Sequence, residues 1–146
     1  MLHAGTSRGT RSIIRAGLCL LVMMAGLALR LRGSGLGLPA FAVKYGGSIL
    51  WGTMVFFLVA AAASNLSRPR IALIAAVIAV GVELFRLVHT PALDAFRLTL
   101  AGALLLGRIF SPWDIIAYGV GILLGALLDS LVVAKFRDRK AAHSAS

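Results

Sequence analysis

The sequence is poor in the residues that build disulfides, metal centres and many catalytic sites. It contains one cysteine, Cys19, so no internal disulfide can form. Its three histidines, His3, His89 and His143, are far apart and lack cysteine partners, so we expect no metal and no cofactor. No Ser/His/Asp order, HExxH motif or phosphate loop occurs, which favours a role other than catalysis.

Acidic residues are also scarce. Five Asp and Glu stand against 15 Lys and Arg, which gives a formal net charge of +10. A balance this basic raises the question of nucleic-acid binding. The basic residues lie at the ends of apolar blocks instead of forming one patch, which is typical of topology control and of contact with anionic headgroups. We therefore expect membrane lipids as partners and no nucleic acid, and we leave the oligomeric state open.

Apolar residues are abundant. They make up 60% of the chain, and the mean hydropathy is +0.94. Crossing a hydrocarbon core of about 30 Å takes about 20 helical residues. Four blocks are long enough to do so, at about 13–31, 48–66, 71–89 and 113–134. A fifth block, about 98–110, is too short and predicts a re-entrant or interfacial half-helix. The predicted fold is all-α, an integral membrane bundle of four transmembrane helices plus this half-helix.

The polar segments set the predicted boundaries and the orientation. Residues 1–12 form a basic N-terminal segment, 13–134 the transmembrane domain, and 135–146 a basic, disordered tail. Residues 90–97 are predicted as an amphipathic loop. The distribution of Lys and Arg favours both termini on the cytoplasmic side of a bacterial inner membrane, with the protein crossing several times.

This topology gathers polar side chains at the outer membrane face. Ionisable groups in or beside a span are costly and mark function by default. Glu83 and Arg86 are three residues apart, so they share a helix face and can pair. Such a pair is also explained by helix registration alone. The polar residues expected at this face are Arg30, Arg32, Lys44, Glu83, Arg86, His89, Asp94, Arg97, Asp114 and Tyr118.

The last span carries a polar and small stripe. Asp114, Tyr118, Gly121, Gly125 and Asp129 are spaced by three or four residues, so they share one helix face. Gly121 and Gly125 form a GxxxG pattern, which lets another helix approach closely. We expect this stripe to face the bundle and these two glycines to serve helix packing within the chain.

Several stretches resemble a family of uncharacterised bacterial membrane proteins, DUF2809. Residues 38–51 resemble its pattern LP-x-F-x-x-KY-x-GD-x-LW, and Glu83-Leu84, Phe96-Arg97-Leu98-Thr99, Leu106-Gly107, Phe110 and 114–125 continue the match. Two positions depart from the pattern, since the family usually has an acid at Ser48 and Gln at Arg86. A more distant likeness is to the VanZ-like family, on Glu83, Asp114, Tyr118, Gly121 and Gly125. The resemblance implies no activity.

Three functional hypotheses remain. The first is binding of an anionic envelope component, a lipid headgroup or a lipid-linked phosphate, from the outer side. Arg32, Lys44 and Arg97 would contact the anion, Glu83 and Asp114 would orient these cations, and Tyr118 would supply a hydroxyl. The second is a membrane enzyme acting on a lipid-linked substrate, with Glu83 or Asp114 as general base. The third is a structural membrane subunit with no ligand.

Overall fold

The computed structural model describes residues 3–106 and 110–144, and within these ranges the chain forms helices and no strand. The six helices are α1 (His3–Arg32), α2 (Ala40–Ala62), α3 (Arg68–Phe85), α4 (Pro91–Arg97), α5 (Leu100–Leu105) and α6 (Pro112–Ser144). The predicted all-α class is confirmed. Three stretches are long and apolar enough to cross a membrane, namely Arg8–Arg32, Ala40–Ala62 and Pro112–Val132.

Helix α3 corresponds to the remaining predicted span, but it has only 18 residues and three of them are charged. Length and composition therefore identify three spans, and the number four stays a prediction. The buried residues of α3 recur every four positions, at Ile71, Ala75, Ala79 and Glu83. One stripe of α3 thus faces the bundle, and the opposite, apolar face is exposed.

Helix α2 is the centre of the bundle and packs against α1, α3 and α6, while α3 also packs against α6. The core contains Phe56, Phe57 and Tyr118, which are almost completely buried. The outer surface is apolar, and Leu73 and Leu123 are 65% and 70% exposed. Contiguous exposed apolar surface of this kind requires an apolar surrounding, so the helices suit a membrane.

Small residues let α2 and α6 approach closely. A Cβ atom on Gly52 would lie 2.8 Å from the Cα atom of Tyr118, and one on Gly125 would lie 2.9 Å from the ring of Phe56. Gly121 lies against the backbone of Ile49. The backbones themselves form the contact, so the polar start of α6 is held directly beside α2.

The helices alternate in direction, which creates two distinct ends of the bundle. Near one end, Arg15 of α1 is bonded to Asp129 of α6, so the N-terminal part of α1 lies beside the C-terminal half of α6. At the other end, Glu83 of α3 lies beside the start of α6. We call these the Asp129 end and the Glu83 end.

Several predicted boundaries differ from the structure. Helix α1 begins at His3 and α2 at Ala40, whereas the apolar blocks were predicted to begin at about 13 and 48. Residues 90–97, predicted as a loop, contain α4, which begins at Pro91 after the capping residue Thr90. The predicted half-helix 98–110 contains only the short α5, and residues 107–109 lie outside the described ranges. The segment from 135, predicted to be disordered, is helical to Ser144, because residues 133–144 include Ala, Lys and Arg and lack Gly and Pro.

Candidate functional site

Five side chains from three helices meet at the Glu83 end. We call them the Glu83 cluster: Ser48 from α2, Glu83 and Arg86 from α3 and its C-terminal cap, and Asp114 and Tyr118 from α6. Glu83 is completely buried, and Asp114 and Tyr118 are nearly so. The stripe of α3 and the first two turns of α6 therefore bring together residues that are up to 70 positions apart in the sequence.

The carboxylate of Glu83 uses both oxygens. Its Oε2 accepts a hydrogen bond from the Tyr118 hydroxyl at 3.0 Å and pairs with Arg86 Nη1 at 2.6 Å. Its Oε1 accepts a hydrogen bond from the backbone N–H of Ser111 at 2.7 Å, just before α6 begins. The first N–H groups of a helix lack partners within the helix, and its N-terminus carries partial positive charge. Glu83 therefore caps α6 electrostatically.

Arg86 is the hub of the cluster. Its Nη1 lies 3.2 Å from Asp114 Oδ2, and its Nη2 donates to the Tyr118 hydroxyl at 2.8 Å. Its Nε donates to the carbonyl of Leu106 at 2.6 Å. Two carboxylates and one guanidinium leave a formal charge of −1, which the N-terminus of α6 offsets in part. The side chain of Arg86 is 10% exposed, so the hub is nearly closed off.

Residues predicted as ligand contacts fall into two groups. Glu83, Asp114 and Tyr118 lie together in the cluster. Lys44 and Arg32 lie at the same end but are exposed, and neither forms an ion pair with any described residue. The Ser48 hydroxyl has a single proton, which it shares between the carbonyl of Lys44 and Asp114 Oδ1, each 3.2 Å away. Lys44 therefore lies one helical turn beyond the cluster on α2.

Arg97 has partners other than those expected. It is buried, and its guanidinium donates to the carbonyls of Phe85 and Val88, both at 2.8 Å, and to Asp94 at 3.2 Å. The first two carbonyls belong to the C-terminal end of α3 and the residues after it, where carbonyls lack helical partners. Arg97 thus fastens α4 to the end of α3 and lies outside the Glu83 cluster.

A second buried charged group was predicted only in part, because the sequence placed Asp129 on the inward stripe of the last span but named no partner for it. Arg15 forms two bonds with Asp129, Nε to Oδ1 at 2.7 Å and Nη2 to Oδ2 at 2.9 Å, and Arg68 Nε reaches Oδ2 at 3.0 Å. We call these three residues the Asp129 cluster. An acid inside an apolar span needs a counterion, and this signal was available from Asp129, but the sequence offered several arginines as partners.

The two clusters have limited chemistry of their own. Among the described residues, no group of three or more His, Cys, Asp or Glu side chains could hold a metal ion. Both oxygens of Glu83 are buried and bonded, so in this arrangement the carboxylate is not open to a substrate proton. The Glu83 cluster holds Arg86 in one orientation at the same end of the bundle as the exposed cations Arg30, Arg32 and Lys44.

Comparison with known proteins identifies one relationship. The model of the family DUF2809, described as a protein of unknown function, matches residues 37–122. The matched segment contains all five residues of the Glu83 cluster, whereas Arg15 and Asp129 lie outside it. No curated protein and no solved structure matches the chain significantly. The VanZ-like likeness and a bacterial origin stay predictions.

Proposed function

The chain belongs to the DUF2809 family, whose function is unknown, and from its own residues we propose that it binds an anionic group at the Glu83 end. In this proposal the protein is a four-pass protein of a bacterial inner membrane. Both termini are cytoplasmic, and α3 is the fourth span. The ligand is a lipid headgroup or a lipid-linked phosphate reached from the outer side.

The observation that carries this proposal is the set of exposed cations at this end. Arg30, Arg32 and Lys44 are exposed and form no ion pair with the described residues. Together with Arg86 they set four cations against the two acids of the Glu83 cluster. This excess of positive charge favours a phosphate or carboxylate over a cationic ligand.

The second support is the position of Lys44 relative to the Glu83 cluster. Lys44 and Ser48 are four residues apart on α2, so they lie on one face of the helix. An anion bound by Lys44 would therefore lie above Ser48, Asp114 and the hub Arg86. Because Arg86 is already oriented by Glu83 and Asp114, it would need little rearrangement to stabilise negative charge nearby.

The proposed roles follow from these positions. Lys44 and Arg32 contact the anion directly. Glu83 and Asp114 orient Arg86, and Tyr118 links Glu83 to Arg86 through its hydroxyl. Arg97, which the sequence placed among the ligand contacts, instead positions α4 at the edge of the site.

A binding measurement tests the proposal. The full chain is placed in lipid nanodiscs, and its affinity for a short-chain polyprenyl phosphate is measured before and after Lys44→Gln. We expect the affinity to fall about fivefold, which corresponds to one cation near a charged lipid. The melting temperature should stay unchanged, because Lys44 is exposed and forms no ion pair with the described residues.

Lys135→Gln is the matched control, since Lys135 is also exposed but lies on the C-terminal half of α6, away from the Glu83 end. An equal loss in both variants would mean general charge attraction and would refute the site. Release of inorganic phosphate from the probe, abolished by Asp114→Asn, would replace binding with catalysis. An unchanged affinity in Lys44→Gln would leave the structural hypothesis as the better account.

A further inference from the structure

The Asp129 cluster has the opposite charge balance from the Glu83 cluster. It contains one acid, Asp129, and two cations, Arg15 and Arg68, so its formal charge is +1. Of the acidic residues whose side chains the structure describes, only Asp129 lies at this end. The partial charges of the helix ends here cancel. The C-terminal end of α2, where the Ala60 carbonyl accepts a hydrogen bond from Arg15, is negative, and the N-terminal end of α3, which begins at Arg68, is positive.

The excess positive charge resides on Arg68. Arg15 is buried and occupies both oxygens of Asp129 with two parallel bonds, so the acid is already neutralised by its partner on α1. Arg68 adds a third bond through Nε only, and its side chain is 43% exposed. Its two Nη groups have no partner among the described residues. Asp129 therefore fixes the direction of a guanidinium whose outermost donors remain open.

The surroundings of Arg68 match a phospholipid. Arg68 is the first residue of α3, and further along the same helix Leu73, Ile74 and Val77 are exposed. These exposed residues lie on the face of α3 opposite to Arg68, so they do not form one surface with its guanidinium, but they place the start of the helix at the depth of the lipid headgroups. Cationic donors at that depth fit the phosphate of a phospholipid. A free phosphate ion would use the same donors, so displacement of the lipid by inorganic phosphate distinguishes the two sources.

From this arrangement we propose a second site, at the Asp129 end, in which Arg68 binds the phosphate of an anionic phospholipid. Arg11 is the additional cation of the site, because it is exposed and precedes Arg15 by one helical turn. The lipid neutralises the surplus charge of the cluster and covers the start of α3. This site does not depend on the function proposed for the Glu83 end, which lies at the opposite end of the bundle.

Native mass spectrometry of the full chain, released from detergent with defined lipids, tests the proposal. The wild-type protein should retain phosphatidylglycerol in preference to phosphatidylcholine. In Arg68→Gln, we expect retention of phosphatidylglycerol to fall about fivefold. The variant keeps both Arg15–Asp129 bonds, so it should remain folded. If it does not fold, Arg11→Gln replaces it, because this change leaves all bonds to Asp129 intact and should lower the retention of phosphatidylglycerol in the same direction.

Lys135→Gln is the matched control, because Lys135 is exposed on the C-terminal half of α6 and lies outside the cluster. Its retention of phosphatidylglycerol should stay within about twofold of wild type. Three results would overturn the site: no lipid preference in the wild-type protein, equal losses in the two variants, or displacement of the lipid by millimolar inorganic phosphate. Lys44→Gln in the same assay reports on the Glu83 end separately.

Discussion

At the scale of single residues, the protein stabilises buried charges by letting two of them share one counterion. Glu83 and Asp114 share Arg86, and Arg15 and Arg68 share Asp129. Removing one partner of a buried ion pair is costly when a charge is left without compensation. In each cluster, the most costly substitution should therefore be the one that removes the residue whose charge is in the minority. This residue is Arg86 in the Glu83 cluster and Asp129 in the Asp129 cluster.

Substitutions in the Glu83 cluster test this reasoning. Arg86→Gln leaves two carboxylates together without a cation, and we expect the free energy of unfolding to fall by about 3–5 kcal/mol. Glu83→Gln leaves a neutral pair of Arg86 with Asp114, 3.2 Å apart, so its cost should be clearly smaller. Equilibrium unfolding in mixed micelles measures both. A larger loss in Glu83→Gln than in Arg86→Gln would contradict the charge argument.

At the scale of helices, the crossing of α2 and α6 sets the geometry of the Glu83 cluster. Gly121 meets the backbone of Ile49, and its carbonyl accepts a hydrogen bond from the Thr53 hydroxyl at 2.8 Å. Ser48 immediately precedes Ile49 on α2, and Asp114 lies two turns before Gly121 on α6. Any separation of the two helices at this crossing therefore also separates Ser48 from Asp114.

A pair of glycine substitutions measures the importance of this crossing. Gly121→Ala forces a methyl group into the α2 backbone, and overpacking of this kind costs about 1–3 kcal/mol. Gly119→Ala is the matched control, since nothing lies within 4 Å of its Cβ position. Alanine is the better helix former, so this variant should be neutral or more stable. Equal melting temperatures for the two variants would show that the close approach is unimportant.

At the scale of the whole molecule, the bundle has two chemically different ends joined by an apolar surface. The Glu83 cluster lies near one end and the Asp129 cluster near the other, and exposed cations accompany both. Three helices that are long and apolar enough to cross a membrane, α1, α2 and α6, each run between these ends. The proposed outer site requires that α3 crosses, although its 18 residues include three charges.

Cysteine labelling in intact cells determines this topology. In a Cys19→Ser background, we expect Leu36→Cys and His89→Cys to react with a membrane-impermeant thiol reagent added outside. Asn65→Cys should react only after the membrane is opened. All three positions are exposed in the structure. Labelling of position 89 together with position 65 would mean that α3 does not cross, and the four-span proposal would then be wrong.

The sequence alone determined the class of the protein. Its apolar blocks, their lengths and the basic residues between them predicted an all-α membrane protein, and its motifs predicted the DUF2809 family. Local periodicity also placed Glu83 beside Arg86 and put Asp114 and Tyr118 on one stripe. These features follow from helix geometry and the thickness of a bilayer, which act within a single segment of chain.

Only the tertiary structure decided which charges are partners. Arg15 and Asp129 are 114 residues apart, and no local pattern distinguishes Arg15 from the other arginines near the N-terminus. The sequence placed Arg97 among the anion contacts, whereas the end of α3 supplies its carbonyl acceptors. Arg86 likewise contacts Asp114 and Tyr118 only because α6 packs against α3. Periodicity states which face of a helix is polar, but the neighbour across that face depends on how the helices pack.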